Sequence, residues 1–332
     1  MGSLYTLFFT SSLNIIMKPF RFGAHTYFAK TAPNNWIETV QHIEELGYST
    51  IFEADHFSTK AYDPIVMLST AASVTKKLNV GTLVFDVDYR HPVILARTAA
   101  ALHLLSDGRF EFGIGAGWKI KDYDLSGIPF DKPIVRINRL DEALTIISSM
   151  WTEDKTTFIG KHYQVRDMEK AGELPAGEHP KIMVGGGGKR LLGVAGKHAD
   201  IVGIHWPSHS GRISGDSILD TSFSKVKERI GWVEKSARKA GRDLDEIEYQ
   251  MLFPYPVITD EPDPAYENWA KTYGVSVDDV KDCPLLLIGS VEEIVDKLRM
   301  IRSETGISYM VFAPGNSELF DQLANDVMTK LT

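Results

Sequence analysis

Residues 78–118 read LNVGTLVFDVDYRHPVILARTAAALHLLSDGRFEFGIGAGW. The stretch opens on an apolar run over 78–85, long enough for a strand and too short for a helix. A helical pattern occupies 93–105 and closes on Ser106, Asp107 and Gly108, residues that stop helices and favour turns. A second apolar run, 109–114, reads as another strand. Strand, helix and strand in immediate succession form the unit of a parallel sheet, because a helical crossover is what brings the chain back to run in the same direction. Neither run alternates polar with apolar residues, so both faces of the sheet are expected to be covered.

The same rhythm extends in both directions. Upstream, 20–24 and 50–53 read as strands, followed by helices at 33–46 (Trp36, Ile37, Val40, Ile43 and Leu46 on one stripe, Gly47 behind them) and 64–75. Downstream, strands are expected at 181–184, 201–204, 246–253 and 307–312, and helices at 136–150, 189–196, 223–240, 291–303 and 319–331. Two segments break the pattern. Residues 155–165 read as a small hairpin, and 254–285, with five prolines and poor periodicity, as an insertion or lid. An open doubly wound sheet would give the same local signals, but eight strands favour closure into a (β/α)8 barrel, the TIM-barrel class.

Composition narrows the function. Hydrophobic residues make up 43% of the 332 and charged residues 24%, the balance of a globular chain with a large core. A net charge of −8 argues against a nucleic-acid partner, which would need a basic face. The lone cysteine, Cys283, excludes an internal disulfide and fits a cytoplasmic protein. No apolar run reaches the ~18 residues of a membrane-spanning helix. Residues 1–16 lack a positive leader and a cleavage site, and are expected to form a disordered extension ahead of one barrel domain over 17–332.

In a barrel of this class the chemistry sits at the C-terminal ends of the strands. Those ends carry His25, then Asp55 and His56, then Val84 and Phe85, then Gly115, Ala116, Gly117 and Trp118. The later ones carry Gly185, Gly186, Gly187, Gly188, Lys189 and Arg190, and finally Gly203, Ile204 and His205. The run of four glycines between a strand and a helix, followed by two cations, suits a phosphate group: bare backbone N–H groups and the helix dipole meet an anion there. It lacks the spacing of a Walker A loop, and Gly113, Gly115 and Gly117 do not complete a dinucleotide fingerprint. Those alternating glycines suit a flat ring against the rim or close packing between strands, and spacing does not choose between the two. His56 is the candidate acid/base, with Asp55 to set its tautomer or bond a cofactor ring; a helix-capping Asp beside a surface His is the plainer alternative. His25, His91, His205 and His209 match no metal-binding spacing, and no metal is expected.

Taken together, residues 78–118 resemble the central signature of the luciferase-like flavin monooxygenases and their deazaflavin-dependent relatives. EELGYSTIFEADH (44–56), KIMVGGGGKR (181–190) and LIGSVEEIVDKL (287–298) support the resemblance, which covers the chain from about 18 to 315. DYRHP (88–92), with Gly127 to Phe130, is similar to the branch that uses coenzyme F420. The resemblance implies that Asp55 contacts the deazaflavin ring, that His56 moves a proton beside the hydride-transfer carbon, and that Leu83-Val84 forms a non-prolyl cis bulge behind the ring, with Phe85 following. It further implies that Gly115 to Trp118 line the ring and its ribityl chain, and that Gly185 to Gly188, Gly203 and Ile204 hold the phosphate end. Lys119, Lys121, Lys189 and Arg190 are candidates for the oligoglutamate tail. Trp118 stands where several deazaflavin dehydrogenases have a glutamate, which points away from a sugar phosphate and toward a more apolar small molecule. The expectation is an F420-dependent oxidoreductase, a homodimer like many such barrels. The alternatives are an FMN-dependent monooxygenase fed by a partner flavin reductase, and a non-catalytic flavin-binding accessory protein.

Overall fold

Local chemistry sets the element boundaries. Asp63 caps a helix that begins with Pro64, its Oδ1 accepting the Ile65 N–H at 2.8 Å. Ser290 and Glu293 form a reciprocal capping box, and Gly306, at φ +74°, ends the helix that this box opens. The computed structural model describes residues 17–28, 35–58, 61–175, 177–208 and 211–332. The expected extension over 1–16, the expected helix start at 33 and His209 lie outside the described residues.

The first half comprises β1 (Arg21–His25), α1 (Trp36–Glu45), β2 (Thr50–Glu53), α2 (Pro64–Val74), β3 (Asn79–Thr82), β4 (Phe85–Asp86), α3 (Pro92–Leu105), β5 (Phe110–Gly115), α4 (Ile120–Ser126) and α5 (Pro133–Thr152). A hairpin of β6 (Lys155–Ile159) and β7 (Gln164–Glu169) follows, then β8 (Lys181–Gly186), α6 (Lys189–His198), β9 (Ile201–Ile204), α7 (Gly215–Leu219) and α8 (Phe223–Lys239). The last part holds β10 (Glu248–Pro254), β11 (Val257–Ile258), α9 (Asp263–Tyr273), α10 (Val277–Asp282), β12 (Ile288–Gly289), α11 (Val291–Thr305), β13 (Tyr309–Ala313) and α12 (Glu318–Gln322).

Eight parallel strands run in the order β3-β2-β1-β13-β10-β9-β8-β5, and β5 pairs back onto β3, so the sheet is a closed (β/α)8 barrel. All eight expected strands are present. The third is interrupted: β3 stops at Thr82, the Leu83–Val84 peptide is cis, and β4 resumes the pairing with β5 at Phe85↔Ile114 and Asp86↔Gly115. At the interruption the Thr82 hydroxyl donates to the Gly113 carbonyl at 2.7 Å and accepts the Gly113 N–H at 3.0 Å. A Cβ on Gly113 would collide with the Thr82 carbonyl oxygen, so at this glycine the packing reading holds.

Side chains alternate as a barrel requires. Phe22, Ile51, Met310 and Phe312 join the main core between strands and helices, while Phe52, Met183, Ile201, Tyr309 and Val311 form a separate cluster inside the barrel. The Phe52 ring fills space left by two missing side chains, since a Cβ on Gly23 or Gly81 would lie 2.9 or 2.6 Å from it. At the strand starts, Arg21 pairs with Glu111 and with Glu248 (2.8 Å), and the Tyr309 hydroxyl donates to Glu111 at 3.0 Å. A cavity of about 880 Å³ opens at this end, opposite the expected chemistry.

Several expectations need correction. Residues 254–285, expected as an insertion or lid of poor periodicity, are an insertion with regular elements, β11, α9 and α10, and β11 pairs with β12 in parallel. Pro262 and Pro264 read as breakers, yet they sit at the start of α9, where a missing N–H breaks no hydrogen bond. The short α4, α7 and α10 span too few residues to show a period. The terminal helix is broken, with α12 passing into a π-turn (Leu323–Val327) and a 3₁₀ turn (Met328–Lys330). Among the described residues no helix is long and apolar enough to cross a membrane.

Gly113→Ala is expected to destabilise the fold by about 1–3 kcal/mol or more, since the new methyl overpacks against backbone. Gly188→Ala, at φ −94° and with nothing within 4 Å of the added Cβ, should change stability by less than about 1 kcal/mol. Urea denaturation of both variants checks the contrast.

Candidate active site at the strand ends

His56 follows β2 and is partly exposed. Its Nδ1 lies 2.5 Å from Oδ2 of Asp122, a residue of α4 with no exposed side-chain surface. The Ser58 amide donates to the other oxygen of Asp122 at 2.6 Å. Burial works against the Asp122 carboxylate, but His56 and the Ser58 amide outweigh it and hold it down at about 2. The imidazole of His56 lies between aromatic neighbours, with Tyr27 at 5.3 Å and Trp118 edge-on at 5.9 Å.

Asp55 turns elsewhere. Its Oδ2 accepts from Arg90 at 2.5 Å and from the Asp86 amide at 3.3 Å. Burial raises its pKa against the pull of Arg90. The carboxylate within hydrogen-bond distance of His56 is therefore Asp122, which sequence proximity does not reveal. Its only local signal is a helical position one residue before Tyr123, whose buried hydroxyl donates to Asp86 (2.8 Å) and Asp88 (3.0 Å).

The glycine-lined rim is mixed. A Cβ on Gly115 would come within 2.8 Å of Val84, and one on Gly117, at φ +69°, would collide with the Tyr123 hydroxyl and crowd Asp86. Leu83 joins the apolar cluster inside the barrel, with Val84 packed against it. The side chains of Phe85, Ala116 and Ile204 belong to the main core, leaving only backbone at these positions to meet a ligand. Trp118 is 37% exposed and borders a hollow of about 360 Å³ with Lys119, Lys121 and Arg212.

On the far side of the mouth, Gly188 starts α6 with no side chain capping its first amides. The N-terminus is thus open to an anion. Lys189 and Arg190 reach away to the neighbouring helices: the Lys189 ammonium lies 5.8 Å from the Trp232 ring, and Arg190 donates to Asn138 at 2.8 Å. Arg229 of α8, a cation that the sequence did not single out, backs the loop by donating to the Gly187 carbonyl at 3.0 Å. The structure thus separates Lys119 and Lys121 at the Trp118 side from Lys189 and Arg190 on α6. His205 packs between Gly185 and Gly203: a Cβ on either would lie 3.0 or 2.9 Å from its ring.

Burial pushes His205 down to about 4. It does the same to His25, against a hydrogen bond to the Leu83 carbonyl. Both rings are neutral at pH 7. Among the described residues no group of His, Cys, Asp and Glu could hold a metal ion.

Comparison with known proteins bears on this geometry. The family model described as luciferase-like monooxygenase matches residues 15–284. An F420-dependent glucose-6-phosphate dehydrogenase of Microbacterium testaceum is 28% identical over 240 residues, which cover 70% of this chain and 67% of that protein. The enzyme of the same name from Amycolatopsis mediterranei is 26% identical over 220 residues, covering 64% of each. The chain thus spans about two thirds of the length of these relatives. Among solved structures, an F420-dependent secondary alcohol dehydrogenase in complex with an F420-acetone adduct superposes with a TM-score of 0.77 at 19% identity, covering 95% of this chain and 98% of that one.

One titration can be predicted from the same geometry. Burial raises Glu53 from 4.5 to about 7, against a hydrogen bond from Thr26. Between those values the folded chain holds a proton that the unfolded chain has lost. The contribution of this group to stability is therefore full below about pH 4.5 and declines as the pH rises to about 7. Glu53→Gln should gain stability relative to the parent between pH 5 and pH 8, measured by urea denaturation at both. An equal difference at the two pH values would show that Glu53 titrates as an ordinary carboxyl.

Proposed function

The chain belongs to the luciferase-like monooxygenase family, and from that premise we propose that it is an F420-dependent oxidoreductase. A hydride would pass between the C5 atom of the deazaflavin and a small organic substrate. The observation that carries this reading is the pairing, at one barrel mouth, of a proton-transfer imidazole, His56, with an uncapped helix N-terminus at Gly188. The names of the relatives, both F420-dependent, favour the deazaflavin over FMN.

The residues present fit such a cofactor. The N-terminus of α6, with Gly185 to Gly188 ahead of it, offers bare amides to a phosphate. The cis Leu83–Val84 step and Gly115, which touch one another, offer a wall without projecting polar groups to a flat ring. When bound, the deazaflavin supplies the two-electron chemistry, which no side chain can provide. The protein's part is to orient: His56 takes or returns the proton that accompanies hydride transfer, while Tyr27 and Trp118 flank its ring. With Trp118 beside His56, the substrate is expected to present an apolar face there rather than the hydroxyls of a sugar phosphate. A cytoplasmic homodimer pairing through α2 and α3 completes the reading, since these helices expose Val66, Ile94 and Leu105.

Fluorescence titration of the purified protein with F420 and with FMN is the first test. Micromolar or tighter binding of F420 with much weaker FMN binding is expected; the reverse preference would replace the reading with an oxygen-using monooxygenase and its reductase. His56→Ala should retain cofactor affinity and lose about 10²- to 10⁴-fold in kcat, the range for a group that transfers a proton.

A further inference from the structure

We infer that Asp122 is the positioning residue that makes His56 a proton acceptor at Nε2, by accepting a hydrogen bond from its Nδ1. The inference rests on the reading of His56 as the proton-moving group. It goes beyond that reading by assigning the tautomer and the residue that sets it.

The geometry leaves Asp122 little choice of partner. Its carboxylate has no exposed surface, and its two oxygens are committed to the turn that carries His56, one to the imidazole at 2.5 Å and the other to the Ser58 amide at 2.6 Å. An amide N–H can only donate, so the oxygen facing it stays an acceptor. Both oxygens face nitrogen, and the contacts from His56 and the Ser58 amide hold the carboxyl in its charged, acceptor-only form, so the Nδ1 position supplies the hydrogen. A neutral His56 then has its free lone pair on Nε2, and protonation there produces an imidazolium already paired with a buried anion. The same logic governs the buried aspartate of a serine-protease triad.

Asp122 is itself fixed from outside the site. The next residue of α4, Tyr123, is anchored by its hydroxyl to Asp86 and Asp88, at 2.8 and 3.0 Å. Among the described residues, the charged and titratable groups that the structure places against His56 are Asp122 from α4, His25 from β1, and Tyr27 with the Lys119 ammonium 3.1 Å from its hydroxyl. His25 is held neutral by burial, which leaves Asp122 as the nearest anion.

Asp122→Asn tests the assignment. The Ser58 amide keeps the carboxamide oxygen, so the NH₂ group faces His56 and donates to Nδ1. That inverts the tautomer without removing the side chain. Nitrogen-15 NMR of histidine-labelled full-length protein, with the His56 resonance identified by its loss in His56→Gln, should show Nδ1–H in the parent and Nε2–H in Asp122→Asn. Tyr123→Phe, which loosens α4 without touching His56, should keep the parent tautomer. With F420 bound and a turned-over substrate, Asp122→Asn should lower kcat about 10- to 100-fold, part of the 10²–10⁴ that proton transfer contributes, and leave the F420 dissociation constant within about twofold. The acidic limb of its rate profile should also move to lower pH. An unchanged His56 tautomer in Asp122→Asn would overturn the inference, as would an equal loss of kcat in Tyr123→Phe. The tautomer measurement needs no cofactor, so a failure to bind F420 would defeat the proposed function and still leave Asp122 to be decided by its own result.

Discussion

The barrel closes on a short seam that depends on one side chain, the Thr82 hydroxyl, which exchanges hydrogen bonds with both backbone groups of Gly113. Strands β3 and β5 are the ends of the eight-strand order, and their direct ladder is only two residues long, Val80↔Phe110 and Gly81↔Glu111. Beyond it the regular pairing stops, because β3 leaves the sheet plane at Leu83. A side chain then takes over from backbone. The hydroxyl is both donor and acceptor, so it satisfies the two polar groups of Gly113 that the departing strand would leave buried and unmatched. The approach is close enough that position 113 must be glycine.

What the mouth looks like follows from that clasp. Because β3 turns away and β4 resumes two residues later, Val84 meets Gly115 across the seam and Asp86 comes level with it. Asp86 then receives the Tyr123 hydroxyl, which pins α4 over the rim, and α4 delivers Asp122 to His56. The chain of contacts runs from a backbone interruption through a buried tyrosine to the imidazole. Its cost is visible in the carboxyls: burial raises Asp86 to about 7, where a neutral acid is as favourable as a charged one.

Much of this was legible in the sequence, and the reasons differ by element. All eight strands could be found because each is a short apolar run between turn residues, and a closed parallel barrel covers both faces of every strand. The cis step could be placed at Leu83-Val84 only through family resemblance. Nothing in the composition of LVFD marks it. Helices α9 and α10 were hidden behind prolines that serve as helix starts, and α4 was too short for a period to show. The partner of His56 was hidden for a different reason. Asp55 is its neighbour in sequence, but the side chains of adjacent residues at the end of a strand point to opposite sides. Asp55 therefore faces Arg90, and the bond to His56 goes to a residue on another element.

Environment, rather than residue type, divides labour among the histidines at the mouth. His25 and His205 lie within the barrel, one bonded to a backbone carbonyl and the other wedged between glycines, and burial keeps both rings neutral. A neutral imidazole that burial keeps from charging can donate or accept a hydrogen bond but is a poor place to leave a proton. His56 alone among these three sits against an ionised, fully buried carboxylate and retains some contact with solvent. An incoming proton at His56 would therefore meet a pre-formed counter-charge. Asp122 thus places its negative charge on one side of the His56 ring, and Trp118, edge-on at 5.9 Å, gives the ring an apolar neighbour.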